Sequence, residues 1–159
     1  MPTQATALFA DRHSTHAAVE QLVQAGFPRD SISLVMSLQT FEREFGLHHH
    51  NPARSGMRPS RYAGVLAAIV DGLVAMSSAG GVALRAAGPV VAAIESRDVD
   101  GAPVLSEGLM AVGLTEEEAR RVEEGMREGA LVIGVHAADR VGLAVQLLEL
   151  SGGDALQAA

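Results

Sequence analysis

The sequence contains no cysteine and no tryptophan, and aromatic residues make up only 3% of its 159 residues. Without cysteine the chain has no disulfide, no thiolate nucleophile and no cysteine-ligated metal site, which suits a reducing compartment. With so few aromatic side chains, a core has to be built from Ala, Val, Leu and Ile, with Gly and Ala allowing close approach. The 48% hydrophobic content and mean hydropathy of +0.19 predict one folded domain with such a core.

Basic residues are also scarce, since 12 Lys and Arg stand against 19 Asp and Glu, a formal net charge of −7. Proteins that bind a phosphate backbone need a clustered excess of positive charge, so we expect no nucleic-acid partner. The N-terminal stretch MPTQATALFADRHS lacks the basic and apolar regions of a secretory signal. We therefore expect a cytoplasmic protein.

Recognisable catalytic motifs are missing as well. No Gly-x-Ser-x-Gly elbow occurs, and no Ser is placed recognisably with His and Asp. Gly80-Gly81 lacks the spacing of a phosphate-binding loop, and the run Glu116–Glu118 is typical of a helix start rather than of a catalytic carboxylate pair. The sequence therefore predicts a non-enzymatic protein without a cofactor.

Both ends of the chain have the pattern of a strand followed by a helix. ATALFA (5–10) predicts a buried strand, and Asp11 is a suitable N-cap for a helix that Gly26 is placed to end. DSISLVM (30–36) predicts a second strand.

The C-terminal end repeats this order. ALVIGVHA (130–137) predicts a third strand, Asp139 the N-cap of a helix, and DALQAA after Gly153 a short edge strand. The triplet Ala-Asp-Arg precedes the helix in both halves. Two βαβ halves of this kind predict an α+β fold with a ferredoxin-like, small antiparallel sheet and helices on one face.

We interpret the chain as a single domain, 1–159. Residues 1–36 form the first half and residues 130–159 the second, and residues 37–129 are a loop plus a Gly/Ala-rich helical insertion.

The loop part of the insertion, Gln39–Arg61, mixes Pro, Gly, His and Arg with little periodicity. We expect it to be mobile and dispensable for folding, although Phe41, Phe45 and Leu47 have the spacing of a brief helical turn.

A helix is predicted at the end of the insertion. Thr115 and Glu118 have the spacing of a capping box, and Ala119, Val122 and Met126 form a narrow apolar stripe.

The apolar tract Tyr62–Ile94 has an Asp and an Arg within its central part, AAIVDGLVAMSSAGGVALRAAG (67–88), and these interrupt any run long enough to span a membrane. We expect no transmembrane segment. Small residues recur every four positions, which suits close helix packing: Gly64, Ala68 and Gly72, then Ala79, Ala83 and Ala87. This pattern predicts a helical hairpin that turns at 77–81 and brings Asp71 opposite Arg85 as a structural ion pair.

If that pair forms, Asp71→Ala and Arg85→Ala should each destabilise by about 3 kcal/mol, and the double mutant by much less than the sum. The tract also offers more apolar helical surface than a small sheet can cover, so we expect a homo-oligomer.

Two parts of the chain resemble a known family. ATALFADRHSTHAAVEQLVQAGFPRDSISLVM (5–36) resembles the N-terminal domain of the bacterial general stress proteins of the heat-induced type. The Gly/Ala tract, GLTEEEARRVEEGMREGALVIGVHA (113–137) and the final helix resemble longer proteins that share that domain. The resemblance covers most of the chain, contains no catalytic motif and implies a stress-associated protein. The chain departs from the family pattern at Gln39–Arg61.

Two groups of residues are candidate metal ligands. His13 and His16 lie three positions apart at the start of the first predicted helix, with Glu20 one turn further on. If the chain is extended at residues 48–50, the side chains of His48 and His50 lie on the same side of the loop. Both groups also fit ordinary solvent-exposed positions. His136 is not expected to complete the first group, because a strand length of roughly 17 Å separates it from Asp11.

One group of residues is a candidate anion contact. Arg54, Arg58 and Arg61, with Arg43 nearby, form a local cationic segment that fits either an acidic partner or a solvated loop.

The sequence thus predicts a stress-associated, non-enzymatic protein that acts through self-association or partner binding. The alternatives are a small-molecule or metal-binding regulatory module and, third, a protein associated with the membrane surface.

Overall fold

The computed structural model describes residues 4–46, 65–77, 83–95, 98–99, 102–103, 109–110 and 114–156. Its strands and helices form the expected α+β combination. The strands are β1 (Gln4–Phe9), β2 (Ile32–Ser37), β3 (Val74–Ser77), β4 (Ala83–Ala87), β5 (Asp98–Val99), β6 (Ala102–Pro103), β7 (Leu131–His136) and β8 (Asp154–Ala155). The helices are α1 (Arg12–Gln24), α2 (Leu38–Phe41), α3 (Val65–Asp71), α4 (Pro89–Glu95), α5 (Glu116–Arg127) and α6 (Val141–Leu150). A π-helical turn at Glu42–Gly46 and two 3-10 turns, Arg29–Ser31 and Ala138–Arg140, complete the described elements.

Six strands form one antiparallel sheet in the order β3-β4-β2-β7-β1-β8. β7 lies between β1 and β2, and Ile133 at its centre is opposite Ala7 on one side and Leu34 on the other. Each βαβ crossover therefore passes over a strand of the other half. β5 and β6 form a separate two-stranded hairpin. The predicted α+β class and antiparallel sheet are confirmed.

Helices cover both faces of this sheet, whereas the sequence predicted helices on one face. Odd-numbered residues of β7, such as Ile133, pack in a core cluster beneath α1, α3 and α6. Val132, at an even-numbered position, packs in a second cluster with Val122 and Met126 of α5. Because successive side chains of a strand point to opposite faces, the two clusters lie on opposite sides of the sheet. The arrangement explains why five of the six β7 residues are buried.

The predicted N-terminal caps of α1 and α5, and the predicted end of α1 at Gly26, are confirmed. The Asp11 carboxylate caps α1 by accepting a bond from the Ser14 backbone N–H at 2.8 Å. Gly26 follows the last turn with φ +101°, a conformation that favours glycine. The capping box of α5 is complete, since Glu118 N donates to Thr115 Oγ1 at 3.1 Å and Thr115 N donates to Glu118 Oε1 at 2.8 Å.

The predicted N-cap of the last helix is wrong. Asp139 lies inside the 3-10 turn that follows β7, and the residue before α6 is Arg140, which makes no side-chain cap. This turn starts with Ala138 at φ +50°, in the left-handed region that only glycine adopts without strain.

The predicted helical hairpin is also wrong. Helix α3 ends at Asp71, and the chain then forms the strands β3 and β4, with Ala75 opposite Arg85. β4 hydrogen-bonds to the edge of β2, so pairing with an existing strand overrides the helical preference of an Ala-rich segment. Of the predicted turn at 77–81, Ser77 is the last residue of β3, and residues 78–81 lie outside the described residues.

The predicted structural ion pair between Asp71 and Arg85 is wrong, because it depended on that hairpin. Asp71 is exposed at the end of α3. The Arg85 guanidinium lies 5.4 Å from the centre of the Phe41 ring and donates a hydrogen bond to the Leu84 carbonyl at 3.2 Å. Both residues are described, and no ion pair joins them.

The first part of the predicted loop is helical. Residues 39–46 belong to α2 and the π-helical turn, where Phe45 is fully buried and its ring centre is 6.1 Å from that of Phe41. The brief helical turn predicted from Phe41 and Phe45 is therefore confirmed, and Leu47 lies outside the described residues.

Candidate functional site

A polar cluster fastens the start of α1 to the π-helical turn. The Glu44 carboxylate accepts a hydrogen bond from the Arg12 backbone N–H at 2.6 Å, and the Arg12 guanidinium donates to the Glu44 carbonyl at 3.0 Å. The Glu44 side chain is 16% exposed, and its second oxygen accepts from Arg43 Nε at 2.9 Å. Glu44 and Asp11 thus both serve the N-terminus of α1, where backbone N–H groups lack intrahelical partners.

The Asp11 carboxylate has a lowered pKa. The backbone N–H and the hydroxyl of Ser14 donate hydrogen bonds to it, and they hold the pKa of Asp11 below its usual value. Hydrogen bonds to the charged form stabilise that form, so the cap is strongest when Asp11 is ionised.

The same cluster joins the two ends of the insertion. Arg43 Nη2 donates to the carbonyl of Gly129 at 2.8 Å, although 86 positions separate the two residues in sequence. Gly129 has φ +99°, and a Cβ added there would stand 2.6 Å from Arg43 Nη1. The start and the end of the insertion therefore lie close together beside α1. These contacts are intramolecular.

Helix α6 is held beside α1 by Arg140. Its guanidinium stacks on the Phe27 ring, 4.2 Å from the ring centre, and lies 3.5 and 3.4 Å from the carbonyl oxygens of Ala25 and Gly26. A cation at this place compensates the partial negative charge at the C-terminal end of α1. Arg140 therefore positions the start of α6 on the protein surface.

The outer face of α6 carries two of the four large apolar side chains that are exposed among the described residues. Leu150 is 82% exposed and Leu143 is 40% exposed, and Leu147 between them is only partly buried. We call these three residues the leucine stripe. They recur at positions i, i+4 and i+7, so they lie along one side of the helix.

The inner face of α6 already packs against the core. Ala144, Val145 and Leu148 are buried there in the first core cluster, between α6 and the sheet. Leu143 and Leu150 are therefore not part of the internal core, against which Leu147 packs, and exposed apolar side chains grouped on one side of a helix are typical of a protein contact.

Sequence reasoning missed the leucine stripe, although a signal was present. VGLAVQLLEL has only two polar residues, Gln146 and Glu149, so apolar side chains occupy more of the helix circumference than one buried face needs.

The first predicted metal group is only partly assembled. His16 Nε2 and Glu20 Oε1 lie 3.9 Å apart on α1, and His13 is exposed one turn earlier. Across the described part of the chain, no three His, Cys, Asp or Glu side chains converge in a way that could hold a metal ion. His136 is exposed at the far end of β7, opposite Gln4, and so lies away from Asp11 as the strand-length argument predicted.

Several predicted site residues lie outside the described residues. These are His48, His50, Arg54, Arg58 and Arg61. Arg43, the neighbour of that cationic segment, is engaged with Glu44 and Gly129.

In the ranges that the structure describes, no helix is both long and apolar enough to cross a membrane. Comparison with known protein families, with curated proteins and with solved structures finds no match.

Proposed function

We propose that this chain is a non-enzymatic, stress-associated protein that acts by associating with a protein partner through the outer face of α6. The exposure of Leu150, 82% on a helix whose other face is fully packed, is the observation that carries the proposal. Burial of a leucine side chain contributes about 1.5–3 kcal/mol of free energy relative to its exposure to water. A partner that covers this side chain recovers that free energy.

The surroundings of the leucine stripe support a binding surface. Gln146 and Glu149, the polar residues of α6, are both exposed and border it. An apolar centre with a polar border is the usual composition of a protein interface. The stress association rests on the sequence resemblance of residues 5–36.

Analytical ultracentrifugation and native mass spectrometry of the untagged protein test this proposal. We expect association at tens of micromolar, either of the chain with itself or with a protein retained from its host. Leu150→Glu should abolish the association, because it places a charge in the contact. Gln21→Glu adds the same charge on the exposed face of α1 and should leave the association unchanged.

The opposite results would contradict the proposal. A monomer without partner in both measurements, or equal association of wild type and Leu150→Glu, would show that the α6 face is not a contact surface. A retained small molecule or metal in the native mass spectrum of a monomer would favour the ligand-binding module instead.

A further inference from the structure

Asp71 and Gly72 form an Asp-Gly pair where helix α3 ends and the chain turns towards β3. Both residues are exposed, and no ion pair in the described part of the chain involves Asp71. We infer that this pair is a site of spontaneous covalent modification in the folded protein, at which Asp71 converts to isoaspartate through a cyclic imide.

The reaction uses only neighbouring atoms and water. The backbone nitrogen of Gly72 attacks Cγ of the protonated Asp71 carboxyl group. The new N–Cγ bond forms while the carboxyl OH and the amide proton leave together as water. Water then hydrolyses the imide ring. Opening at the main-chain carbonyl carbon of Asp71 leaves the peptide bond running through the side chain, and the former main-chain carbonyl becomes the free carboxyl group.

Glycine after the aspartate favours the attack. Glycine has no Cβ, so the nitrogen approaches Cγ with little obstruction and the backbone around it rotates freely. Among the aspartates that the structure describes, only Asp71 is followed by glycine, and the others are followed by Arg, Ser, Val or Ala.

Only the last turn of α3 has to open for the reaction. The backbone nitrogen of Gly72 donates a hydrogen bond to the Ile69 carbonyl at 3.0 Å, and this bond must break before the nitrogen can attack. The net loss of one such bond reduces the reactive population about tenfold, whereas unfolding of the whole domain would reduce it more than about a thousandfold. The folded protein should therefore react at about one tenth of the rate of the unfolded chain.

The modification has a structural consequence for β3. Isoaspartate at position 71 adds one carbon to the backbone, and only Gly72 and Leu73 connect α3 to β3. Leu73 packs against the first core cluster, and β3 is an edge strand that pairs with β4 in the described sheet. A longer connection displaces Val74 from its place opposite Ala86. We expect it to loosen β3 and to leave the central strands in place.

Ageing of the full-length protein at neutral pH, followed by trypsin digestion and mass spectrometry, measures the reaction. Trypsin cuts after Arg61 and Arg85, so Asp71 lies in the peptide 62–85, apart from the other Asp-Gly pair of the sequence at Asp100. The imide appears as the loss of one water from this peptide, and isoaspartate as peptide that an aspartate-specific protease no longer cleaves. The same chain in guanidinium chloride gives the rate in the unfolded state.

Gly72→Ala is the blocking variant. A Cβ at this position would stand 3.5 Å from the carbonyl oxygen of Ile69 and 3.8 Å from that of Ala68, which are ordinary contacts, and the φ of Gly72 is not in the left-handed region. The variant should therefore fold normally and react several-fold more slowly. Asp71→Glu keeps the charge and should nearly abolish the reaction, because attack on the longer side chain closes a larger ring.

The expected result is a folded rate about tenfold below the unfolded rate, lowered further by Gly72→Ala, with faster amide exchange at residues 74–77 in the modified fraction. A folded rate about a hundredfold or more below the unfolded rate would overturn the inference, because more than the last turn would then have to open. Equal rates for the wild type and Gly72→Ala would also overturn it. Unchanged amide exchange at residues 74–77 would show that the modification does not loosen β3.

Discussion

Replacing Gly88 with alanine should strongly destabilise the protein. Gly88 joins β4 to α4 with φ +94°, and a Cβ at this position would overlap the carbonyl oxygen of Ile32 and stand 2.8 Å from Ser33 Cα. Both obstacles are backbone atoms of β2, so no side-chain rotation can relieve them. The turn between β4 and α4 has to move away from β2.

The expected loss has two parts. An alanine with positive φ costs about 1–2 kcal/mol. Moving the turn also weakens the buried hydrogen bond from Val90 N to Ser33 Oγ, 3.1 Å long, and leaving such a buried donor unsatisfied costs about 1–3 kcal/mol. Together we expect Gly88→Ala to lower the free energy of unfolding by about 2–5 kcal/mol, out of the roughly 5–15 kcal/mol typical of a domain.

Urea unfolding followed by circular dichroism at low protein concentration measures this loss. Gly142→Ala is the matched control, since a Cβ there meets no atom within 4 Å, and alanine in a helix is up to about 1 kcal/mol more favourable than glycine. We therefore expect opposite signs for the two substitutions. A Gly88→Ala variant within about 1 kcal/mol of the wild type would refute the argument, because a backbone overlap of this kind cannot be that cheap.

Three further substitutions test local features by the same unfolding measurement. Asp11→Ala should cost about 1 kcal/mol at neutral pH by removing the α1 cap. Because the folded-state pKa of Asp11 is lowered, this difference should be complete above about pH 5 and shrink as the pH falls below about 4; a difference that grows in acid would be inconsistent with it. Thr115→Ala should cost about 1 kcal/mol through loss of the capping box of α5, and an unchanged urea midpoint would rule this out. Ala138→Gly should raise stability by up to about 1 kcal/mol by relieving the positive φ, seen as a melting temperature a few degrees higher; a lower one would show that the turn is not strained.

The features that could be predicted from the sequence are those decided within a few residues. The carboxylate of Asp11 reaches the N–H of Ser14 within one turn, and Thr115 and Glu118 cap each other across three positions. Gly26 ends its helix because it adopts a positive φ. Such contacts depend little on the rest of the chain, so side-chain chemistry and spacing suffice to predict them.

The leucine stripe was partly within reach of the sequence. The composition of α6 shows that it has more apolar residues than one face needs. Which of them are exposed depends on how Arg140 and Phe27 set the helix against α1, and that contact joins residues more than 110 positions apart.

The sequence alone determined the two strand-helix halves, the α+β class and the caps of α1 and α5, because their signals are local. Only the tertiary structure decided the state of the Ala-rich tract. Its residues suit a helix as well as a strand, and Leu84 and Ala86 become strand residues because β2 offers an edge to pair with and α5 covers the face they point to. Pairing partners and covering layers come from distant parts of the chain, so a pattern of neighbouring residues cannot specify them.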